Sequence, residues 1–464
     1  MLPIAFSVLM LIGVPAAIAM AAASLIYIYV YAEVPPVVVV HRMVAGIDSF
    51  PLLAVPFFIL AGNLMNDAGI SNRIYGFALA LVGWLRGGLG HVNVLGSVVF
   101  AGMSGTALAD AAGLGTIEIK AMRDHGYPAE FAVGVTAASA TLGPIIPPSL
   151  PFVIYAMMAN VSVGALFLAG ILPGLLLAAG MMATVAYYAR RNGWGRDESF
   201  SRARFGKALF EAALVVTWPV AVYALVRVGL PAPPTVLAAL GLLFVADRRW
   251  RFQAVLALMT PVLLIGGMTF GIFTPTEGAV AASAWALLLG VAWYRSLTWK
   301  RFIKVCLDTI ETTAAVMFIV AAASAFGWML TATGLTTTLA EWVLGFTREP
   351  WVFLLLANLL MLAIGCFLEP TAAITLLVPL LLPISRKLGI DSVHFGLVMV
   401  LNLMIGLLHP PMGMVLFVLA RVARLSVERT TMAILPWLVP LLLTLVLLTY
   451  VPAIVLWLPR LSGM

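Results

Sequence analysis

Long apolar stretches recur along almost the whole chain, separated by short polar loops. A helix needs about 20 apolar residues to cross a bilayer, and these stretches lack the strict alternation of a transmembrane strand. The pattern therefore predicts membrane-spanning helices near residues 3–32, 50–69, 129–158, 164–188, 209–227, 234–246, 253–272, 276–294, 305–333, 393–421 and 432–458. We expect the loops on the outer side, such as 33–49 and 228–233, to be too short to fold on their own.

Two further apolar regions, 92–116 and 351–385, are interrupted at their centres. Their middles read AGMSGTALADAAG and GCFLEPTAA, in which small residues, a proline or a carboxylate replace bulky apolar side chains. A polar backbone at membrane depth is tolerated only where protein shelters it from lipid. Each region is therefore predicted to be a re-entrant hairpin with a buried tip.

The sequence also contains an internal repeat. LAGNLMNDAG at 60–69 matches AFGWMLTATG at 325–334, and each is followed by a short amphipathic stretch, 71–85 or 335–347. A hairpin, a polar loop and an apolar segment split by a double proline follow in both halves. Because an odd number of predicted spans separates the copies, they insert with opposite orientation, a plan common among secondary transporters. The predicted inverted repeat consists of a first copy at 1–189 with hairpin 92–116 and broken helix 129–158, connecting scaffold helices at 190–275, and a second copy at 276–464 with hairpin 351–385 and broken helix 393–421.

Composition and charge narrow the class of protein. The 464 residues are 63% hydrophobic and only 10% charged, whereas a soluble domain carries about 25% charged residues. This excludes a soluble enzyme, a nucleic-acid-binding module and a secreted disulfide scaffold, and it predicts an all-α polytopic membrane protein.

The positive charges predict the orientation of the chain. Most of the 26 Lys and Arg residues fall in the loops 71–91, 117–128, 190–208, 247–252, 295–304 and 421–429. By the positive-inside rule these loops are cytoplasmic, which gives about eleven spans plus two hairpins, with the N-terminus inside and the C-terminus outside. If 71–85 spans the membrane instead of lying flat at its surface, only the position of the N-terminus changes.

The two split segments, TLGPIIPPS at 141–149 and IGLLHPPMG at 405–413, have the residues of an ion or substrate site. A helix broken at mid-membrane exposes carbonyl oxygens at one end, which suit Na⁺, and N–H groups at the other, which suit a carboxylate. The prolines lack N–H donors and leave upstream carbonyls unpaired. Gly143 lets the backbone turn, and Thr141 and Ser149 add hydroxyl groups. The alternative interpretation is a packing kink, since proline is frequent in transmembrane helices.

The hairpin tips carry further polar candidates, which are Ser104, Gly105, Thr106 and Asp110 in the first and Glu369, Pro370 and Thr371 in the second. Asp110 and Glu369 occupy similar places in the two repeats. A carboxylate buried in the membrane is costly and needs a partner, so each could ligate a cation, brace the hairpin backbone or take up a proton. His409 lies inside the second break and is either a substrate or ion contact or a structural hydrogen-bond donor. We expect solvated positions for the histidines in loops or at span edges, which are His41, His91, His125 and His394.

Long motifs that carry these features follow one another along the chain. They are GHVNVLGSVVFAGMSGTALADAAGLG (90–115), AASATLGPIIPPS (137–149), GIFTPTEGAV (271–280), GCFLEPTAAI (365–374) and HFGLVMVLNLMIGLLHPPMG (394–413). Together they resemble the large membrane subunit of TRAP transporters, the tripartite ATP-independent periplasmic transporters of bacteria and archaea. The resemblance implies an elevator-type, Na⁺-coupled secondary transporter of the bacterial inner membrane that takes up a small organic acid, such as a C4-dicarboxylate. It further implies at least two bound Na⁺ ions and two partners, a small four-helix membrane subunit and a periplasmic substrate-binding protein.

The resemblance also implies which residues bind. One Na⁺ site would lie between the first tip and the break at 141–145, the other between the second tip and the break at 402–411, with the substrate between the tips. The implied Na⁺ ligands are Ser104, Thr106, Asp110, Thr141, Gly143, Ile145, Glu369, Thr371, Asn402, Gly406 and Pro410. The implied substrate contacts are Ser104, Gly105, Thr106, Pro147, Ser149, Pro370, Thr371 and His409. The chain departs from the family where Glu369 replaces a frequent Asp and His409 replaces a frequent Thr, which leaves the substrate open.

Two other functions compete with this interpretation. A self-sufficient Na⁺/anion symporter of the same superfamily would share the inverted repeat and need no binding protein, but the motifs above argue against it. An intramembrane aspartyl protease would use Asp110 and Glu369 as an acid pair, yet the YD and GxGD motifs expected of such an enzyme are absent. The chain has no P-loop, so ATP does not drive transport, and we expect no enzymatic activity.

Overall fold

The protein is helical throughout the part that the structure describes. The computed structural model describes residues 2–31, 34–227, 255–269, 273–409 and 413–463. Within these ranges every regular element is a helix, apart from one isolated bridge between Arg86 and Arg196. The predicted all-α class is therefore confirmed for the described residues. The predictions that lie wholly outside them are the span 234–246, the loops 228–233 and 247–252, and the ligand Pro410.

The first part of the chain contains a helical hairpin followed by a broken helix. Its helices are Leu2–Leu11, Ala16–Tyr31, Val37–Ile47, the 3₁₀ turn Phe50–Leu53, Ala54–Asp67, Ile70–Val82, Gly88–Ser104, Ala107–Ala112, Leu114–Asp124, Ala129–Ala140, Leu150–Ala159 and Val163–Arg191. We call residues 88–124 hairpin 1 and residues 129–159 broken helix 1. Gly105, at φ +64°, turns the chain at the tip of hairpin 1. The prolines of the 141–149 segment prevent one helix from running through broken helix 1.

The second part repeats this arrangement. Its described helices are Arg202–Arg227, Val255–Thr269, Pro275–Leu288 with the π-helical extension Leu289–Trp293, Trp299–Ala332, Leu335–Phe346, Pro350–Gly365, Pro370–Lys387, Ser392–Gly406, Met414–Ala423, Val427–Tyr450 and Pro452–Leu461. We call residues 350–387 hairpin 2 and residues 392–423 broken helix 2. In each half a glycine with positive φ, Gly69 at +72° or Gly334 at +68°, separates a longer helix from the short helix before the hairpin. The order of elements matches the predicted repeat, and the domain boundaries at 189 and 275 stay predictions.

Each half of the chain contributes a half-helix that packs against the hairpin of the other half. The second half of broken helix 1 lies against the second arm of hairpin 2, and the second half of broken helix 2 lies against the second arm of hairpin 1. An arginine marks each contact, since Arg386 donates to the carbonyl of Ala159 and Arg123 donates to the carbonyl of Ala423 at 3.2 Å. Each arginine thus places its charge at the negative C-terminal end of a half-helix from the other repeat.

Several helices have the length and composition of membrane spans. Among the described residues these are Phe50–Asp67, Val163–Arg191, Pro275–Trp293, Trp299–Ala332 and Val427–Tyr450. The chain is therefore a multi-pass membrane protein, while the total of eleven spans stays a prediction. The amphipathic helix Ile70–Val82 has 13 residues. At 1.5 Å per residue it is about 20 Å long, shorter than the ~30 Å hydrocarbon core, which favours the flat orientation over a span.

Two of the predicted spans are not continuous. The helix expected over 3–32 is wrong, because Gly13, at φ +88°, and the following Pro15 separate two helices that pack against each other. The span expected over 432–458 is interrupted at Val451. A glycine or proline causes each break, and a prediction based on hydrophobicity alone does not detect these residues.

The connection expected at 33–49 contains the helix Val37–Ile47, and its position outside the membrane stays a prediction. This helix packs on Trp299–Ala332, with the Arg42 guanidinium 4.8 Å from the ring centre of Trp328. The contact between a cation and an aromatic face stabilises a segment that looks too polar and too short to be a span.

Candidate functional site

The tip of hairpin 1 touches the proline break of broken helix 1. The N–H of Leu150 donates to the carbonyl of Gly105 at 3.4 Å. A Cβ added to Gly105 would lie 2.8 Å from the carbonyl oxygen of Pro148, and one added to Gly143 would lie 3.0 Å from that of Thr106. The two backbones are therefore in direct contact, and Gly105, which also has a positive φ, leaves no room for a side chain.

The polar groups at this tip have different roles. Ser104 is buried, and its hydroxyl has no hydrogen-bond partner among the described residues. The Thr106 hydroxyl accepts from the N–H of Ala109 at 3.2 Å and so caps the second arm. The carbonyl of Pro147 lies beside Gly102 on the first arm, 3.8 Å from where a Cβ would stand. Of these groups, the Ser104 hydroxyl remains available to a ligand.

The hydroxyls predicted as ligands in the break are used internally. Thr141 donates to the carbonyl three residues earlier at 2.6 Å. Ser149 donates to the carbonyl of Pro144 and accepts from the N–H three residues later at 3.2 Å. The carbonyl oxygen of Ile145 lies against Gly170 of the helix that follows. The two hydroxyls hold the shape of the break with their hydrogens, while the oxygen of each keeps a lone pair that can accept a further contact.

Two buried carboxylates lie inside hairpin 1. Asp110, one turn beyond the tip, is 1% exposed, and its carboxylate faces Ser97 while its Oδ2 has no hydrogen-bond partner of standard geometry among the described residues. Glu118 is also 1% exposed and accepts from the Asn93 amide at 2.6 Å.

Glu118 was missed by the sequence interpretation because the charges of residues 117–128 are typical of a loop. The helix in fact continues to Asp124, and its buried positions include Leu114, Glu118, Ile119 and Met122. This spacing is that of one helix face, and it is the signal that would have found the residue.

Glu369 braces the tip of hairpin 2. Its carboxylate accepts from the N–H three residues later at 3.2 Å and from the Thr371 hydroxyl at 2.8 Å. Because Thr106 makes the same cap in hairpin 1, the structural equivalent of Glu369 is Thr106. The position four residues after the cap is Asp110 in hairpin 1 and Ala373 in hairpin 2. The expectation that Asp110 and Glu369 occupy similar places is therefore wrong.

Hairpin 2 meets broken helix 2 through residues just before its cap. A Cβ added to Gly406 would lie 2.7 Å from Cα of Gly365, so the two backbones touch. The sulfur of Cys366 lies 3.4 Å from Nδ1 of His409, which is otherwise exposed. Hairpin 2 and broken helix 2 therefore meet at the second predicted site through Gly406 and His409. The predicted ligand Thr371 instead contacts Glu369 of its own hairpin.

Asn402, a predicted Na⁺ ligand, and Pro370, a predicted substrate contact, complete the described residues of the second site. The Asn402 amide donates to Oδ1 of Asn358 at 2.7 Å, which ties broken helix 2 to the first arm of hairpin 2. Its own Oδ1 has no partner in the described part of the chain. Pro370 is buried at the start of the second arm.

Two histidines are more buried than expected. His394 is 1% exposed, and its Nε2 lies 2.9 Å from the carbonyl of Leu448. His91 is 6% exposed. The expectation that both are solvated is wrong, because the helix Gly88–Ser104 begins before the predicted region that started at 92, and the helix Ser392–Gly406 packs against Val427–Tyr450. His41 and His125 are exposed.

Residues 4–454 match the family model described as the DctM component of the tripartite ATP-independent periplasmic transporters. The chain belongs to the DctM family of TRAP transporters. It is 44% identical to the sialic acid TRAP transporter large permease protein SiaM of Vibrio cholerae, over 91% of this chain and 89% of SiaM. It is 34% identical to the C4-dicarboxylate TRAP transporter large permease protein DctM of Rhodobacter capsulatus, over 98% of this chain and 97% of that protein. Like these relatives, the DctM-family chain is a transporter permease and not an enzyme, which excludes the protease interpretation.

Solved structures show the same fold with little sequence identity. The Alcanivorax borkumensis YdaH transporter superposes with a TM-score of 0.59 at 15% identity, over 89% of this DctM-family chain and 87% of that chain. The Neisseria gonorrhoeae efflux pump MtrF gives a TM-score of 0.56 at 13% identity, over 92% of this chain and 84% of that one. Both support a helical transporter fold.

Proposed function

We propose that this chain is the large membrane component of a Na⁺-coupled TRAP transporter that takes up a small organic acid across the bacterial inner membrane. A periplasmic binding protein delivers the substrate, and a small membrane subunit widens the scaffold. The names of the relatives include sialic acid and C4-dicarboxylates, which share a carboxylate. These names support the substrate class and leave the individual substrate open.

The observation that carries the proposal is the contact between the tip of hairpin 1 and the proline break, with the Ser104 hydroxyl buried and unpartnered among the described residues beside it. A buried polar group without a partner costs about 1–3 kcal/mol. A ligand that satisfies this hydroxyl therefore stabilises the closed contact between the tip and the break.

The groups at this contact fit Na⁺. Ser104 offers a hydroxyl oxygen, and Thr106 and Gly143 meet through backbone at close range. The prolines of the break contribute carbonyls without competing N–H groups. Bound Na⁺ would supply the positive charge that these oxygens attract, and its gradient would drive uptake. When Na⁺ is bound, the tip of hairpin 1 closes onto the break.

The broken helices support a site for an anionic substrate. The half-helices Leu150–Ala159 and Met414–Ala423 both start within the breaks, where their positive ends favour a carboxylate. The tip residue Thr371 and the exposed His409 add polar groups on the side of hairpin 2. The reciprocal arginine contacts between the repeats support an elevator motion in which hairpins and broken helices move as one body.

Proteoliposomes test the proposal. The chain is reconstituted alone, with the small subunit, and with both partners, and uptake of labelled sialic acid and C4-dicarboxylates is followed under an inward Na⁺ gradient and an inward-negative potential. Uptake is expected only with all partners present and Na⁺ supplied, and not with K⁺ alone. Ser104→Ala should lower the apparent affinity for Na⁺, whereas the exposed Ser199→Ala should not.

Two results would contradict the proposal. Full uptake on a proton gradient without Na⁺ would refute Na⁺ coupling. Full uptake by the lone chain would refute the need for partners and identify a self-sufficient symporter.

A further inference from the structure

A buried polar cluster joins the two arms of hairpin 1 to the first half of broken helix 1. The Asn93 amide nitrogen donates to Glu118 at 2.6 Å and to the hydroxyl of Thr136 at 2.8 Å. The hydroxyl of Ser139 donates to the Asn93 amide oxygen at 2.8 Å. All four side chains are 2% exposed or less. Asn93 is therefore fully used, and only one oxygen of Glu118 is satisfied.

Three oxygen atoms in or beside this cluster lack hydrogen-bond partners of standard geometry among the described residues. They are Oγ of Ser97, Oδ2 of Asp110 and Oε1 of Glu118, and each residue is 1% exposed. Ser97 faces Asp110, and the two carboxylates lie near enough to repel each other when both are charged. In the described part of the chain, neither carboxylate forms an ion pair with Lys, Arg or His.

The backbone leaves space for these groups. Gly96, on the first arm, presents no side chain to Glu118, and a Cβ there would lie 2.8 Å from Oε1. Gly115, on the second arm, lies against Thr136, where a Cβ would lie 2.7 Å from the side chain. A side chain at Gly96 would collide with Glu118, and one at Gly115 would collide with Thr136.

Two buried carboxylates that have no basic partner in the described ranges need another source of positive charge. Removing an isolated carboxylate from water costs several kcal/mol even after relaxation, so the group either binds a proton or is matched by a cation. Hydroxyl and carboxylate oxygens are the ligands that hard alkali and alkaline-earth cations prefer. Two neighbouring carboxylates and the hydroxyl that faces one of them supply such ligands.

We propose that Ser97, Asp110 and Glu118 form an additional Na⁺ site inside hairpin 1, separate from the one at its tip. The site rests on the proposed Na⁺ coupling. It assigns Asp110 to the interior of the hairpin, and it adds Glu118 as a ligand. A cation here ties the second arm of hairpin 1 to the first, and through Asn93 and Thr136 to broken helix 1, so that Na⁺ binding stiffens the element whose tip closes the substrate site.

Na⁺ binding to the purified full-length chain tests the site without transport. The thermal unfolding midpoint is measured against Na⁺ concentration, with choline replacing Na⁺ to hold ionic strength constant. Loss of groups that support a metal site typically weakens affinity about 10- to 100-fold. Glu118→Gln is therefore expected to raise the half-saturating Na⁺ concentration by about tenfold or more and to reduce the steepness of the titration.

Matched variants separate ligand loss from misfolding. Glu130→Gln removes a carboxylate that is 45% exposed on the neighbouring helix, and it should leave the titration unchanged. Ser97→Ala keeps the charge and the Asn93 hydrogen bonds, and it should weaken Na⁺ binding severalfold. If Glu118→Gln does not fold, Ser97→Ala decides the question.

The outcomes distinguish this proposal from the proposed function. If the unfolding midpoint of the wild-type chain does not change with Na⁺ concentration, both the proposed Na⁺ coupling and this site are refuted. A wild-type response that Glu118→Gln and Ser97→Ala both leave intact would overturn only this site. This site alone would also be overturned if Glu118→Gln changed the pH dependence of stability and not its Na⁺ dependence, because the acids would then hold protons.

Discussion

Removing Arg386 should destabilise the chain more than removing Arg123. Arg386 donates to the carbonyl of Ala159 and also, through Nε, to the hydroxyl of Ser392 at 3.1 Å. Arg123 makes one such bond, to the carbonyl of Ala423 at 3.2 Å. The perturbation is the pair of variants Arg386→Ala and Arg123→Ala, each of which leaves a half-helix end without its cation.

The expected cost follows from these bonds. A hydrogen bond from a charged donor is worth about 1.5–3 kcal/mol when buried, and a cation at a helix C-terminus adds about 0.3–1 kcal/mol. Both arginine side chains are exposed, which lowers these values. We therefore expect a loss of about 1–2 kcal/mol for Arg386→Ala and about 0.5–1 kcal/mol for Arg123→Ala.

The assay is unfolding of the purified chain in denaturant or heat, with exposed lysines of the same arms as controls. Lys387→Ala and Lys120→Ala remove a positive charge close to each arginine, and both lysines are exposed. Because the two arginine contacts involve different half-helices, the double variant should add the single effects within about 0.5 kcal/mol. If Arg386→Ala destabilises the chain no more than Lys387→Ala, the reciprocal contact does not hold the repeats together.

Further predictions concern the carboxylates Asp110 and Glu369 and the tip residue Gly105. Asp110→Asn should cut initial uptake about tenfold or more by removing a buried charge, whereas Glu369→Gln keeps an acceptor for the hairpin cap and should retain more activity. Equal losses in uptake assays normalised to membrane protein would contradict this difference. Gly105→Ala should abolish uptake, because its backbone has φ +64° and the new Cβ would lie 2.8 Å from the carbonyl of Pro148. Gly126→Ala, at φ +82° in open space, bears similar backbone strain and should remain active.

The breaks in the fold could be predicted because their causes are local. Prolines without N–H groups at 144–148, and a glycine at 105 beside a serine and a threonine, stop a helix wherever they occur. The repetition of these signals in the second half made the paired hairpins and broken helices predictable as well. The backbone contact at the first site follows from the same residues.

Features that depend on tertiary packing could not be predicted from the pattern. Glu118 lies among charged residues that resemble a loop, and only the helix continuing to Asp124 buries it. Arg123 and Arg386 look like ordinary topology-setting charges until each meets the other repeat. The cap role of Glu369 likewise depends on where the second arm begins, which the sequence leaves uncertain by a turn.

The two repeats share a backbone plan but use their carboxylates differently. In hairpin 2, Glu369 is the helix cap, and its oxygens are satisfied by the tip itself. In hairpin 1 the neutral Thr106 makes that cap, and Asp110 sits one turn deeper without a hydrogen-bond partner for Oδ2 among the described residues. A carboxylate already engaged by its own backbone responds weakly to an ion, whereas an unengaged one gains most from a cation. We therefore expect ion dependence to be concentrated in hairpin 1, and substitutions around hairpin 2 and His409 to alter substrate preference more than Na⁺ affinity.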